Sequence, residues 1–114
     1  MKKLYEVGFA VFNNMIIPCY AKENSPECDL YLIREDIGRC LGYKNPSKAI
    51  SKIHKANYKR LNRFSLKIAG GITRLYSTRG VWELCICSKQ PQVEDVMDFI
   101  WDIHHEWKGD VNND

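Results

Sequence analysis

The chain has 114 residues, 45% of them apolar and 27% charged, with a formal net charge of +3. That is the size and balance of one small globular domain, and it excludes a disordered or collagen-like chain. No run approaches the roughly 18 apolar residues of a membrane span. Met1-Lys2-Lys3 resembles the start of a secretion leader, but Tyr5 and Glu6 interrupt it and no cleavage site follows. Five cysteines, an odd count, point to reduced thiols in a cytoplasm.

Leu4 to Phe12 is rich in β-branched and aromatic residues and reads as a strand. Asn13-Asn14 signals a turn, and Met15 to Tyr20 a second strand. Lys22 to Asp29 is polar and reads as a loop; Leu30 to Ile33 is a third strand. Arg34 to Leu41 then has helical spacing, with Ile37 and Leu41 on one face. Gly42 suits the position just past a helix, where φ is often positive. Asn45 is placed as the N-cap of a second helix and Pro46 as its first residue. Ala49, Ile50 and Ile53 form that helix's inner stripe, while Lys48, Lys52, Lys55 and Lys59 recur at three and four residues on the other side.

Phe64 to Ile68 and Ile72 to Tyr76 are strand-like, with a hairpin signal at Gly70-Gly71. Two readings stand for this hairpin: a basic wing presenting Lys67 and Arg74, or a plain cover for the core. A short helix follows over about Thr78 to Cys87. The last helix is the clearest, with Val93, Val96, Met97, Ile100, Ile103, His104 and Trp107 in one stripe and Asp98, Asp102 and Glu106 on the solvent side. The expected fold is therefore α+β: a small antiparallel sheet, a helix-turn-helix-like pair, a basic β-hairpin and a long C-terminal helix. Residues 1–109 form one domain, and 110–114 read as a disordered tail.

The modest net charge conceals a segregation. Arg34 to Arg79 holds twelve basic and two acidic residues, a net +10, whereas the remainder holds five basic and twelve acidic, a net −7. A dipolar molecule with one positive face suits a polyanion. Two short helices joined by a Gly-containing turn, the second cationic, are the sequence form of a DNA-reading unit. Lys44, Asn45, Ser47, Lys48, Lys52 and Lys55 are the candidates for the major groove or its phosphates. Lys59, Arg60, Arg63, Lys67 and Arg74 are the candidates for the DNA backbone. Asn45 is claimed twice, because a side chain that caps a helix cannot also read adenine. Tyr43 and Tyr58 flank the cationic helix and are open to stacking or to core packing.

No motif carries catalysis. Cys85-x-Cys87 lacks a second ligand pair at zinc spacing, and Asp102-x-x-His105 stands alone as a metal pair. No cofactor or metal is expected, and no enzyme activity. A rival surface is the acidic last helix, where Asp98, Trp101 and Asp102 are candidates for binding a protein partner.

Four segments resemble the BRO-N domain, the amino-terminal module of phage antirepressors and baculovirus repeated-ORF proteins. Leu41-Gly42-Tyr43-Lys44-Asn45-Pro46-Ser47-Lys48-Ala49-Ile50 matches a segment of that family throughout. Tyr31 to Ile37 is similar to its aromatic-Val-Ala-Lys-Asp-Val opening. Tyr76 to Leu84 resembles its Ile-Asn-Glu-Ser-Gly-Leu-Tyr-Arg-Leu segment, with Glu83 in place of the arginine. Ser88 to Pro91, followed by Phe99-x-Trp101, resembles its ending. The resemblance implies an α+β domain that binds double-stranded DNA, in a phage, prophage or large DNA virus, acting in the host cytoplasm. Relatives commonly add a carboxy-terminal domain with antirepressor or partner functions; here the resemblance covers the first module. The partners it implies are duplex DNA and a phage repressor or host protein. A lone reading head is usually too weak for specific sites, which makes a homodimer a candidate assembly.

Overall fold

The structure, a computed structural model, describes residues 4–68 and 73–109. Five strands form one antiparallel sheet in the order β1-β2-β3-β5-β4. They are β1 (Tyr5–Phe12), β2 (Met15–Ala21), β3 (Tyr31–Ile33), β4 (Ser65–Lys67) and β5 (Arg74–Ser77). The helices are α1 (Arg34–Cys40), α2 (Pro46–Ala56), α3 (Tyr58–Leu61), α4 (Thr78–Cys87) and α5 (Val93–Lys108), with a 3-10 turn at Asn62–Phe64. The α+β architecture expected from the sequence is the one observed. Gly70-Gly71, the expected strand start at Ile72 and the tail 110–114 lie outside the described residues.

Asn13 and Asn14 both take positive φ, 47° and 64°. That two-residue connection matches the twist of the strands it joins, and Asn tolerates it better than most side-chain-bearing residues. It sets Phe12 opposite Met15 and carries the register to Tyr5 opposite Ala21, through one irregularity between Glu6 and Gly8. β3 is the centre of the sheet, pairing Tyr31 with Tyr20 on β2 and Tyr31, Leu32 and Ile33 with Ser77, Tyr76 and Leu75 on β5.

The core joins the inner sheet face to all the longer helices through Ile17, Leu32, Ile37, Leu41, Ile50, Tyr76, Leu84, Val96 and Ile100, each at most 2% exposed. Cys40 and Cys85 belong to it, and burial pushes both thiols up to about 12, so they pack as neutral groups. Phe99, outside the expected stripe of α5, packs its ring 5.0 Å from Phe12. The far end of α5 pins the loop after β2, with Trp107 Nε1 donating to the Cys28 carbonyl at 2.6 Å.

α4 spans the residues read from the sequence, and its start has a clear cause. The Ser77 hydroxyl accepts from Gly80 N–H at 3.1 Å, satisfying one of the amides a helix start leaves open. Ser77→Ala should lower stability by about 1 kcal/mol, read as a reduced midpoint in urea with unchanged slope.

α1 and α2 form the helix-turn-helix-like pair. They approach closely at Gly38, where an added Cβ would lie 2.6 Å from the Pro46 carbonyl oxygen. Gly42 follows α1 with φ +83°, as expected of that position. The second helix is not continuous to Lys59, which the sequence placed on it: α2 ends at Ala56 and Lys59 lies on α3. Asn57 breaks it with φ −128° and ψ 40°, and donates from its side chain to the Ile53 carbonyl at 2.9 Å. Among the described residues no helix is long and apolar enough to cross a membrane.

Candidate nucleic-acid interface

α2 presents its basic residues along an exposed side while Ile50 and His54 are buried beneath. Lys44, Lys48, Lys52 and Lys55 are all exposed, and none forms an ion pair with a described residue. Four such lysines over twelve residues repel one another, a cost that an opposing polyanion relieves.

A cleft of about 480 Å³ opens beside them, lined by Arg34, Ser47, Lys48, Ser51, Lys52 and Lys55. Arg34 leaves the end of β3 and donates from Nε to the Ser47 hydroxyl at 3.0 Å. The guanidinium thus lines the cleft while tied to Ser47 and hydrogen-bonded to the Tyr76 hydroxyl. Such a pocket fits a phosphate group, which guanidinium and hydroxyl donors grip together.

Beneath α2 lies a polar support. His54 Nδ1 and the Tyr76 hydroxyl share a hydrogen bond of 2.6 Å, and the rings meet edge to face. Burial, and then the nearby Arg74, hold His54 below the ordinary histidine pKa. His54 therefore stays neutral at pH 7, and the positive face owes its charge to lysine and arginine.

Asn45 occupies the N-cap position, but its side chain makes no capping hydrogen bond, which corrects the sequence expectation. Its ψ of 79° falls short of the extended value that brings a capping side chain over the first turn. With Pro46 next to it, one orphan amide is already absent. The Asn45 side chain is exposed.

The expected backbone contacts divide. Lys59, Arg63 and Lys67 are exposed, with Arg63 lying 4.7 Å over the Phe64 ring. Arg60 is turned to Glu83 on α4 at 3.4 Å. Arg74 is half-buried and donates to the Ser65 hydroxyl at 2.7 Å, bracing β4 against β5. Arg74 therefore braces the two strands together, while Lys67, opposite it in register, is exposed. Tyr43 is half-buried and shares a hydrogen bond with Ser88 at 2.6 Å, whereas Tyr58 is 59% exposed.

On α5, Asp98, Trp101 and Asp102 are all exposed. Among the described residues no group of three or more His, Cys, Asp or Glu could hold a metal ion. Arg34 and Ser51 are the site residues the sequence reading missed. Arg34 lies thirteen residues from its partner Ser47 on another element, so no periodicity links them. No protein-family model, curated protein or solved structure matches this chain.

Proposed function

We propose that the chain is a DNA-binding regulatory domain of phage or prophage origin, an antirepressor-like transcription regulator of the BRO-N type. In this reading it works in the cytoplasm of a bacterial host, without enzyme activity or cofactor. It grips duplex DNA through α2 and the neighbouring β4–β5 hairpin. The observation that carries the reading is the row of exposed lysines on α2 around the cleft that Arg34 and Ser47 close. The resemblance of residues 41–50 to a segment of BRO-N domains supports it.

Lys44, Lys48, Lys52 and Lys55, with Arg34, give about five phosphate contacts. Lysine is a point charge, so affinity should exceed sequence discrimination. Exposed Asn45 and half-buried Ser47, at the start of α2, are the groups that reach base edges. With about five phosphates neutralised, log K falls against log salt with a slope of roughly −4 to −5. Between about 50 and 200 mM salt, affinity for a random-sequence duplex should drop roughly 300- to 1,000-fold. Fluorescence anisotropy of a labelled duplex measures this, and an absence of binding at the lower salt would overturn the reading.

A second reading is a module that captures a repressor or other host protein through α5. It is favoured by Trp101, which is 56% exposed between Asp98 and Asp102. Substituting Asp98, Trp101 and Asp102 should abolish that function and spare DNA binding.

A further inference from the structure

A cavity of about 500 Å³ opens between α4 and α5, lined by residues that take no part in the lysine face. Its walls include the rings of Trp82 and Trp101, with centroids 6.2 Å apart, and buried Ile100. Thr78 and His104, also lining it, share a 3.0 Å hydrogen bond. Glu83 is shared by Arg79 at 3.3 Å and Arg60 at 3.4 Å, so the acidic charge that faces a partner comes from α5. Asp98 and Asp102, one turn apart on α5, add negative charge beside exposed Trp101. Two indoles beside the exposed acidic face of α5 make a seat for an aromatic ring carried between positive charges.

The same chain carries such a ring. Tyr58 is 59% exposed at the start of α3, between exposed Lys55 and Lys59. The other exposed aromatics fit less well. Tyr5 and Phe9 lie on a strand whose one charged residue is Glu6, and Trp101 belongs to the cavity itself. The charge split supports the match, because the +10 segment contains Tyr58 and the −7 remainder contains α5.

We propose that Tyr58 of one copy of the chain inserts into the α4–α5 cavity of a second copy, with Lys55 and Lys59 set against Asp98 and Asp102. Self-association of this kind stands apart from DNA binding. Where the DNA reading also holds, duplex and second copy compete for Lys55, and a stored, self-associated form would be released onto DNA.

Sedimentation velocity of the purified chain tests this at about 25 mM and about 300 mM salt, which shortens the screening length from roughly 20 Å to about 6 Å. Association should rise with protein concentration at low salt and weaken at least about tenfold at high salt. Tyr58→Ala and Trp101→Ala should each weaken it at least about tenfold, as truncation of an interface anchor does. An equimolar mixture of the two variants should recover a one-to-one pair, since one supplies an intact ring and the other an intact cavity. Tyr58→Ala should melt close to the wild type, its ring being 59% exposed, whereas Trp101→Ala also loses its contacts with Trp82 and His105 and should melt lower, so it is compared at a temperature where circular dichroism shows it folded. Reversing Asp98 and Asp102 to Lys should also weaken association, and a Lys55→Glu, Lys59→Glu chain should restore it. A mixture that stays monomeric, or a single variant that associates like wild type, overturns the proposal. A wild-type chain that is monomeric at low salt overturns it too, and leaves the cavity to a foreign partner.

Discussion

Reversing two charges, Lys48→Glu with Lys52→Glu, should remove duplex binding, lowering affinity by at least about a thousandfold at about 50 mM salt. Each lysine lost withdraws one phosphate contact, and each glutamate gained opposes a phosphate in its place. The salt slope should fall by about two, to roughly −2 to −3. Both residues are exposed and neither is ion-paired to a described residue, so folding loses nothing with them. A carboxylate at position 48 lies in the first turn of α2, where negative charge suits the helix dipole, and the lysine repulsion along the helix declines. The double variant should therefore melt at or slightly above the wild-type temperature while failing to shift DNA. Retained affinity would place the DNA surface elsewhere; a collapse of stability would show the lysines to be structural.

Gly38→Ala should cost about 2–3 kcal/mol, toward the upper end of overpacking effects. The new methyl would meet the Pro46 carbonyl oxygen at 2.6 Å and the Pro46 Cα and Cβ at 2.7 Å. Two of those three atoms are backbone, so no rotamer change relieves the contact, and α1 and α2 must move apart. At about 5 °C per kcal/mol, the melting temperature should drop by roughly 10–15 °C. Gly8→Ala is the matched control, since a Cβ there meets nothing within 4 Å. DNA affinity should also fall in Gly38→Ala, because α2 is displaced from Arg34. An unchanged melting curve would show that the helix pair has slack that the close approach at Gly38 denies.

Much of this architecture was legible in the chain because its determinants are local. Asn13-Asn14 dictates a tight hairpin by its own conformational tolerance, and Ser77 starts α4 by capping it. The basic segment is visible as composition, since no Asp or Glu occurs between Asp36 and Glu83. What could not be read depends on packing at a distance. Arg34 reaches Ser47 only because α1 and α2 fold against one another, and His54 is buried because Tyr76 arrives from β5. The break at Asn57 was hidden by the lysine periodicity, which continues through it. The capping role read into Asn45 failed on backbone geometry, since residue type sets the preference and ψ decides the outcome.

The linker from α4 to α5 resembles a disposable loop in composition, yet three of its residues hold the joint of the helix pair. Ser88 meets the Tyr43 hydroxyl, Gln90 donates to the Leu41 carbonyl at 3.0 Å, and the Gln92 amide fills the space where Gly42 has no side chain. The joint is in effect bolted to a segment 49 residues away in sequence. Loop-length drift, tags or a protease nick at 88–92 would thus be transmitted to the pitch at which α2 is presented, whereas the exposed residues Glu23 and Asn24, ahead of the part of their loop that α5 pins, offer an insertion point remote from that linkage.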